Sequence, residues 1–299
     1  MISFDQNAFL IIVTASLIAI SCGLLGVFMM LRKMAMTGDA ISHAVLPGIV
    51  IGFFVSGSQR GLEVIIGAGL LGILATLMID WLRKRAKVQL DASIGITFTL
   101  LFAIGIILIN IFAYKVDLDQ ECVLYGEIAY LPIDLWITAS GMSMGPRITW
   151  LAVLNLLLVT GFIWLLFKEL TLTSFDENFG LALGIPAGAI NLSLMSMVSY
   201  TTVSSFEAVG AILVVALLVV PPAIAFLWTK ALIPLMKLTV VLGVLISVLG
   251  YYLAFWLDSS IAGMMVTVAG IIFLVSAVLK SKKAKFSFGT QEKEKSFTT

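Results

Sequence analysis

Asp39 and His43 stand four residues apart in TGDAISHAVLPG, and His43 is the only histidine of the chain. Their surroundings are apolar. An Asp at the centre of a membrane helix costs roughly 2.5–3.5 kcal/mol on insertion scales, so ionisable groups at that depth mark ion or substrate paths. Helical i,i+4 spacing puts both side chains on one face, with Cβ atoms about 5–6 Å apart. Pro47 follows four residues after His43. It has no N–H for the His43 carbonyl, and its ring pushes that carbonyl aside. A carboxylate, an imidazole and a freed carbonyl could then converge on one cation. The competing reading is a kinked helix whose Asp and His only pair with each other or with a neighbouring helix. Imidazole suits zinc, manganese and iron, and carboxylate favours the harder of these. Two side chains fall short of a closed tetrahedral zinc site. That shortfall suits a cation that must be released again, and a dimer axis would double the donors. Asp39 lies six residues past Lys33, about 9 Å along a helix, which draws it towards a mouth of the path rather than the midplane.

Such a pair needs a membrane scaffold, and the composition supplies one. Of 299 residues, 61% are hydrophobic and 12% charged, with a mean hydropathy of +1.12. No soluble domain could bury so many ~20-residue apolar runs, so the chain reads as an all-α polytopic membrane protein. The start, MISFDQNAFLIIV, lacks the basic stretch of a signal peptide, so the first apolar run is expected to be a retained span. Spans fall near 8–31, 35–57, 62–82, 92–113, 148–167, 186–204, 207–229, 233–256 and 261–280. Only Ser204–Ser205 divides the sixth from the seventh, so nine spans is the expectation and eight with one irregular segment the alternative.

Basic residues orient the bundle. Arg32 and Lys33, the Arg83–Lys87 cluster, Lys168, Lys230, Lys237 and the lysines from Lys280 to Lys285 all fall on one side if the N-terminus is outside and the C-terminus inside. The other side holds Arg60, Lys115 and Arg147 with an acidic loop of Asp117, Asp119, Glu121, Glu127 and Asp134. In that loop Tyr130 and Trp136 are candidate interfacial anchors. The end of the chain, KFSFGTQEKEKSFTT, is polar and mixed in charge, and a structureless inner tail is expected over 286–299. Cys22 in a span and Cys122 in a loop are poorly placed to pair, and neither has metal-ligand neighbours.

Three further elements bear on function. In KELTLTSFDENFGLALGIPAG, Ser174 or Asp176 can cap a short helix with Glu177 in its first turn, and Gly184 with Pro186 ends it. A short helix along the membrane, exposing Phe175, Phe179 and Leu183, would fit a groove on an ATPase subunit; an ordinary loop helix packed on the membrane face is the alternative. Gly180, Gly184 and Gly188 share a four-residue interval, as do Ala68 and Gly72, which suggests close helix packing in lipid. Pro221 and Pro222 free the carbonyls of Leu217 and Leu218 and are expected to bend that span, as a gate or a fixed kink. Glu207, at the outer start of the same span, is either an exposed interfacial acid or a step that helps pass a cation inward. The sequence has no GxxxxGK[ST] loop and no HExxH, so neither nucleotide hydrolysis nor that zinc chemistry is expected of this chain. No basic aromatic surface suggests nucleic acid.

The motifs LRKMAMTGDAISHAVLPGI, DASIGITFTLLFAIGIILI, VDLDQECVLYGEI, SFDENFGLALGIP and SFEAVGAILVVALLVVPPAIA, in that order over residues 8–282, resemble the permease subunits of bacterial zinc, manganese or iron ABC transporters. The resemblance implies a single permease domain over 1–285, with a fold similar to the vitamin B12-type importer permeases. It implies that Asp39 and His43 contact the metal in the pathway, and that about 170–185, from Ser174 to Gly184, couples to the ATPase. It also implies the partners: cytoplasmic ABC ATPase subunits, a second permease subunit (identical or paralogous) and an extracellular or periplasmic metal-binding protein. No permanently bound cofactor is implied, the divalent metal being cargo, and the setting is the bacterial inner membrane. The alternative outside this family is an ion-coupled secondary transporter in which Asp39 and His43 relay protons.

Overall fold

The computed structural model of the chain describes residues 6–56, 62–112, 128–131, 135–137 and 143–296. The helices are α1 (Gln6–Leu31), α2 (Ala35–Ala44), α3 (Leu46–Ser56), α4 (Leu62–Lys84), α5 (Leu90–Phe112), α6 (Arg147–Leu165), α7 (Phe167–Phe175), α8 (Glu177–Ala182), α9 (Ala187–Trp228), α10 (Leu232–Leu257) and α11 (Ile261–Ser296). Among the described residues, eight helical stretches are long and apolar enough to cross a membrane, α2 and α3 together forming one of them. A short antiparallel hairpin, β1 (Leu135–Ile137) with β2 (Ser143–Pro146), pairs Leu135 with Pro146 and Ile137 with Ser143. The acidic residues Asp117, Asp119, Glu121, Glu127 and Asp134, together with Arg60, Lys115 and Cys122, lie outside the described residues.

α1 is the axis of the bundle, packed against α6, α9 and α10. Small residues let their backbones meet. A Cβ at Gly23 would come within 2.8 Å of Thr239, and one at Gly243 within 3.2 Å of Ala19. Lipid gives no hydrophobic drive between helices, so this contact and a few polar links hold the bundle. Thr14 bonds Thr149 at 2.8 Å, and Thr201 donates to Asn155 at 3.1 Å. The outward faces carry large apolar side chains such as Leu70, Leu77, Phe255 and Trp256. Such faces are stable against lipid and costly against water.

Two boundaries differ from the sequence expectation. The chain is helical straight through Ser204 and Ser205, and the break falls at Gly210, with φ 75° and ψ 162°. That region is closed to residues with a Cβ, so only glycine turns the chain here. Ser205 lies against Cys22, and a Cβ on Gly26 would run into the Leu218 carbonyl. A straight helix would hold residues 205 and 218 about 20 Å apart, whereas the two turns of α1 they touch are about 6 Å apart, so α9 bends sharply at Gly210. Pro221 and Pro222, expected to bend this span, sit within continuous helix, and the non-helical residue is Gly210. The half of α9 before the break, which takes in the expected sixth span and the start of the seventh, carries Asn191, five serines, Tyr200, Thr201, Thr202 and Glu207, which keeps it out of the apolar set. At the chain's end, α11 runs on to Ser296 where a structureless tail was expected; Gln291, Glu292, Lys293, Glu294 and Lys295 are all good helix formers.

Candidate functional site

Just before Pro47 the helix is interrupted at Val45: α2 ends at Ala44 and α3 begins at Leu46, with the Val45 N–H donating to Ile41 at 3.1 Å. Below it α2 buries Thr37, Gly38, Ala40, Ile41, Ser42 and Ala44 against α4, α5 and α9. The 3.6-residue period then sends Met36, Asp39, His43 and Leu46 to the opposite face. His43 Nε2 lies 3.6 Å from Asp39 Oδ1, with the Asp39 side chain 51% exposed and that of His43 32% exposed. Two rings of α5 wall the imidazole, Phe98 at 5.4 Å and Phe102 edge-on at 6.0 Å between centroids. Their i,i+4 spacing, visible in sequence, places both rings on one face of α5. The pair thus forms an open, two-donor site on the subunit's flank. Among the described residues no third His, Cys, Asp or Glu completes it.

α3 holds this region in place through a GIVIG motif that the sequence reading missed although GxxxG spacing was visible. A Cβ at Gly48 would fall 2.7 Å from the Gly67 carbonyl carbon and 2.9 Å from Ala68 Cα; one at Gly52 would fall 2.6 Å from Val64 Cα. Ala68 and Gly72, singled out for packing, do face partners, Gly48 and Ser199 respectively. On the far side of α2, Gly38 meets Leu218 of α9, and the Leu218 carbonyl that Pro222 leaves without its helical donor presses on Gly26. The prolines therefore sit where α9 packs on α1 and beside α2. Glu207 lies in α9, a turn before Gly210.

The second group of expected residues lies at the basic end of the bundle. Of the two candidate caps, Asp176 is the one used: its φ of −147° is extended, and its carboxylate accepts from the Phe179 N–H at 2.9 Å. Glu177 sits in the first turn of α8. Ser174 instead ends α7, donating to the Leu170 carbonyl and accepting from Arg32 at 3.0 Å. Gly184 terminates the unit with φ 81°; its N–H bonds Leu181 and that of Ile185 bonds Gly180, both at 3.0 Å, the paired bonds of a Schellman end. Gly184 has open space around it and Gly188 comes only to 3.9 Å from Lys84 Nζ; Gly180 alone packs closely, an added Cβ falling 3.2 Å from Thr173, so the repeat is not a packing stripe. Phe175, Phe179 and Leu183 are 59%, 53% and 58% exposed, joined by Leu181 at 54%. These apolar side chains thus lie together on an exposed surface beside charged groups. Arg32, read in sequence only as an orientation marker, lies among these elements; burial draws its pKa down, and Glu177 opposes that shift.

The family described as "ABC 3 transport family" matches residues 2–280. The manganese transport system membrane protein MntD of Bacillus subtilis is 45% identical over 88% of this chain and 88% of its own length. The zinc transport system membrane protein TroD of Treponema pallidum is 36% identical over 91% of this chain and 74% of its own. Among solved structures, PsaBC from Streptococcus pneumoniae in complex with Fab superposes with a TM-score of 0.73 at 32% identity, covering 92% of this chain and 91% of that one.

Proposed function

The chain belongs to the ABC 3 transport family, and on that premise we propose that it passes manganese, zinc or iron across the bacterial cell membrane through Asp39 and His43. It is a multi-pass permease subunit of a metal-ion ABC importer. The observation that carries the site is exposure. A carboxylate and an imidazole lie 3.6 Å apart on a spanning helix, and both face out of the subunit. Lipid is a costly neighbour for such groups, whereas a water-filled path between two subunits is not. A second permease copy, identical or paralogous, would cover this face; Gly95, Thr99 and Ala103 on the adjacent exposed face of α5 are small enough for close approach. Two such faces would bring four donors to one axis, weak enough singly to release the cation. Manganese is the first cation to test, because MntD is named for it and a carboxylate site suits it.

The orientation follows the basic residues, N-terminus outside and C-terminus inside. α9 doubles back at Gly210, with Asn191 at Arg32 and Leu227 at Lys280, so both its ends lie on the basic side; it makes no net crossing, the termini fall on opposite faces, and α7 and α8 lie in the cytoplasm. There Ser174, Phe175, Asp176, Glu177, Phe179, Leu183 and Gly184 form the surface for a separate ABC ATPase chain. ATP binding on that chain would shift the segment and alternate the access of the Asp39–His43 site, with an external metal-binding protein supplying cargo. Glu207, Pro47, Pro221 and Pro222 are candidate pathway or gate residues. Manganese uptake should therefore require co-expression of the ATPase. Undiminished uptake without it would favour a secondary transporter with an Asp–His proton relay instead.

Two further outcomes are expected. Serine at both Phe179 and Leu183 should cut recovery of the ATPase in co-purification at least about fivefold, since each side chain surrenders roughly 1.5–3 kcal/mol of burial on docking; full recovery would place the contact elsewhere. Protons should compete with the metal for His43, because a ligating imidazole must be neutral. The KM for manganese should therefore rise as pH falls, with the external binding protein held saturated, and a flat KM would argue against direct ligation.

A further inference from the structure

Arg32 stands at the end of α1, and its guanidinium reaches across two other elements. Nε donates to Ser174 Oγ at 3.0 Å, Nη2 to Thr173 Oγ1 at 2.7 Å and Nη1 to Asn191 Oδ1 at 3.2 Å. Thr173 and Ser174 close α7, and Asn191 lies near the start of α9. All three acceptors are neutral, so this is no ion pair; the planar fork is used for its shape, which a lysine lacks.

The turn that follows is stiff. Lys33 is left-handed, with φ 59°. Its N–H bonds Met30 at 3.0 Å, and the Met34 N–H bonds Met29 at 2.9 Å, the two bonds of a Schellman end. Thr37 N–H then bonds Met34 at 3.0 Å, locking the first turn of α2 onto the same unit. Asp39 and His43 ride on the turns immediately beyond. A shift of α7 at Thr173 and Ser174 is thus handed through charge-assisted hydrogen bonds to Arg32, and through a closed turn to the helix of the pair.

We propose that Arg32 is a positioning residue for transport, clamping the α7–α8 segment to the α1–α2 turn so that movement at the ATPase surface reaches Asp39 and His43. This rests on the coupling reading above. A clamp that merely stabilised the fold would, when cut, lower assembly, ATP hydrolysis and uptake together. A linkage, when cut, leaves hydrolysis running without cargo.

The test reconstitutes the full complex, with its ATPase and second permease, into vesicles and measures manganese uptake and ATP hydrolysis in the same sample. Arg32→Gln should lower uptake per ATP hydrolysed at least about tenfold, within the usual range of coupling between sites. Arg32→Lys should recover only part of the loss. Thr173→Val combined with Asn191→Leu removes acceptors from the other side and should uncouple in the same way, which covers the case in which Arg32→Gln fails to fold. An unchanged uptake-to-ATP ratio in whichever variant assembles overturns the proposal, as does a proportionate fall in both activities. A Phe179→Cys variant separates the two claims by cross-linking. If it captures the ATPase while the ratio holds in Arg32→Gln, only the linkage falls; if it captures nothing, both fall.

Discussion

Alanine at both Asp39 and His43 is expected to bring manganese uptake to the background of cells lacking the chain, while the ATPase still co-purifies. The loss should be at least the ~10–100-fold that follows when even an outer-shell partner of a metal ligand is removed. The subunit offers two donors on an open face, and Phe98 and Phe102 fix the imidazole plane against them. Among the described residues no cluster of three or more His, Cys, Asp or Glu offers an alternative site. Assembly should survive, because the α7–α8 surface lies at the basic end and α2 keeps its buried face of Thr37, Gly38, Ile41 and Ala44. Elemental analysis of the purified complex is the companion measurement. Metal retained by the wild type and lost from the variant supports ligation. Equal uptake in the two would reduce the pair to a structural contact.

The second large effect is expected at Gly48. Alanine there drives a Cβ into the Gly67 carbonyl and to within 2.9 Å of Ala68 Cα, both backbone, so α3 and α4 must separate. Overpacking of this kind costs about 1–3 kcal/mol. Gly69, a neighbour on α4 with nothing within 4 Å of the same added atom, is the control. Gly69→Ala should be neutral or stabilise by about 0.5–1 kcal/mol, the ordinary gain for a helix interior. Thermal unfolding of the two variants in the same detergent decides it; equal midpoints would mean the close contact is absent. Because α3 follows the Val45 break directly, Gly48→Ala should also reduce uptake.

Much of this was legible along the chain because it depends on neighbours in sequence. The Asp39–His43 spacing, the break just before Pro47, the Gly184 helix end and the exposed Phe175, Phe179 and Leu183 all follow from helical period and local backbone chemistry. The cap at Asp176 was narrowed to two residues, and the third dimension chose between them by giving Ser174 to Arg32. The kink in α9 went the other way. Prolines are visible in sequence, but Pro221 and Pro222 stay within helix, while Gly210, one of 25 glycines, takes the dihedral that turns the chain.

By itself the sequence determined the membrane class, every expected span but the sixth to within about a turn, the ionisable pair and the family, since hydropathy and motif spacing are properties of short stretches. Only the tertiary structure decided which face of α2 is left open, which glycines touch another backbone, and that Arg32 joins α7 and α9 to the turn before the pair. Those are contacts between residues far apart along the chain, 159 positions for Arg32 and Asn191, and no local pattern encodes which of many equally apolar helix faces will meet.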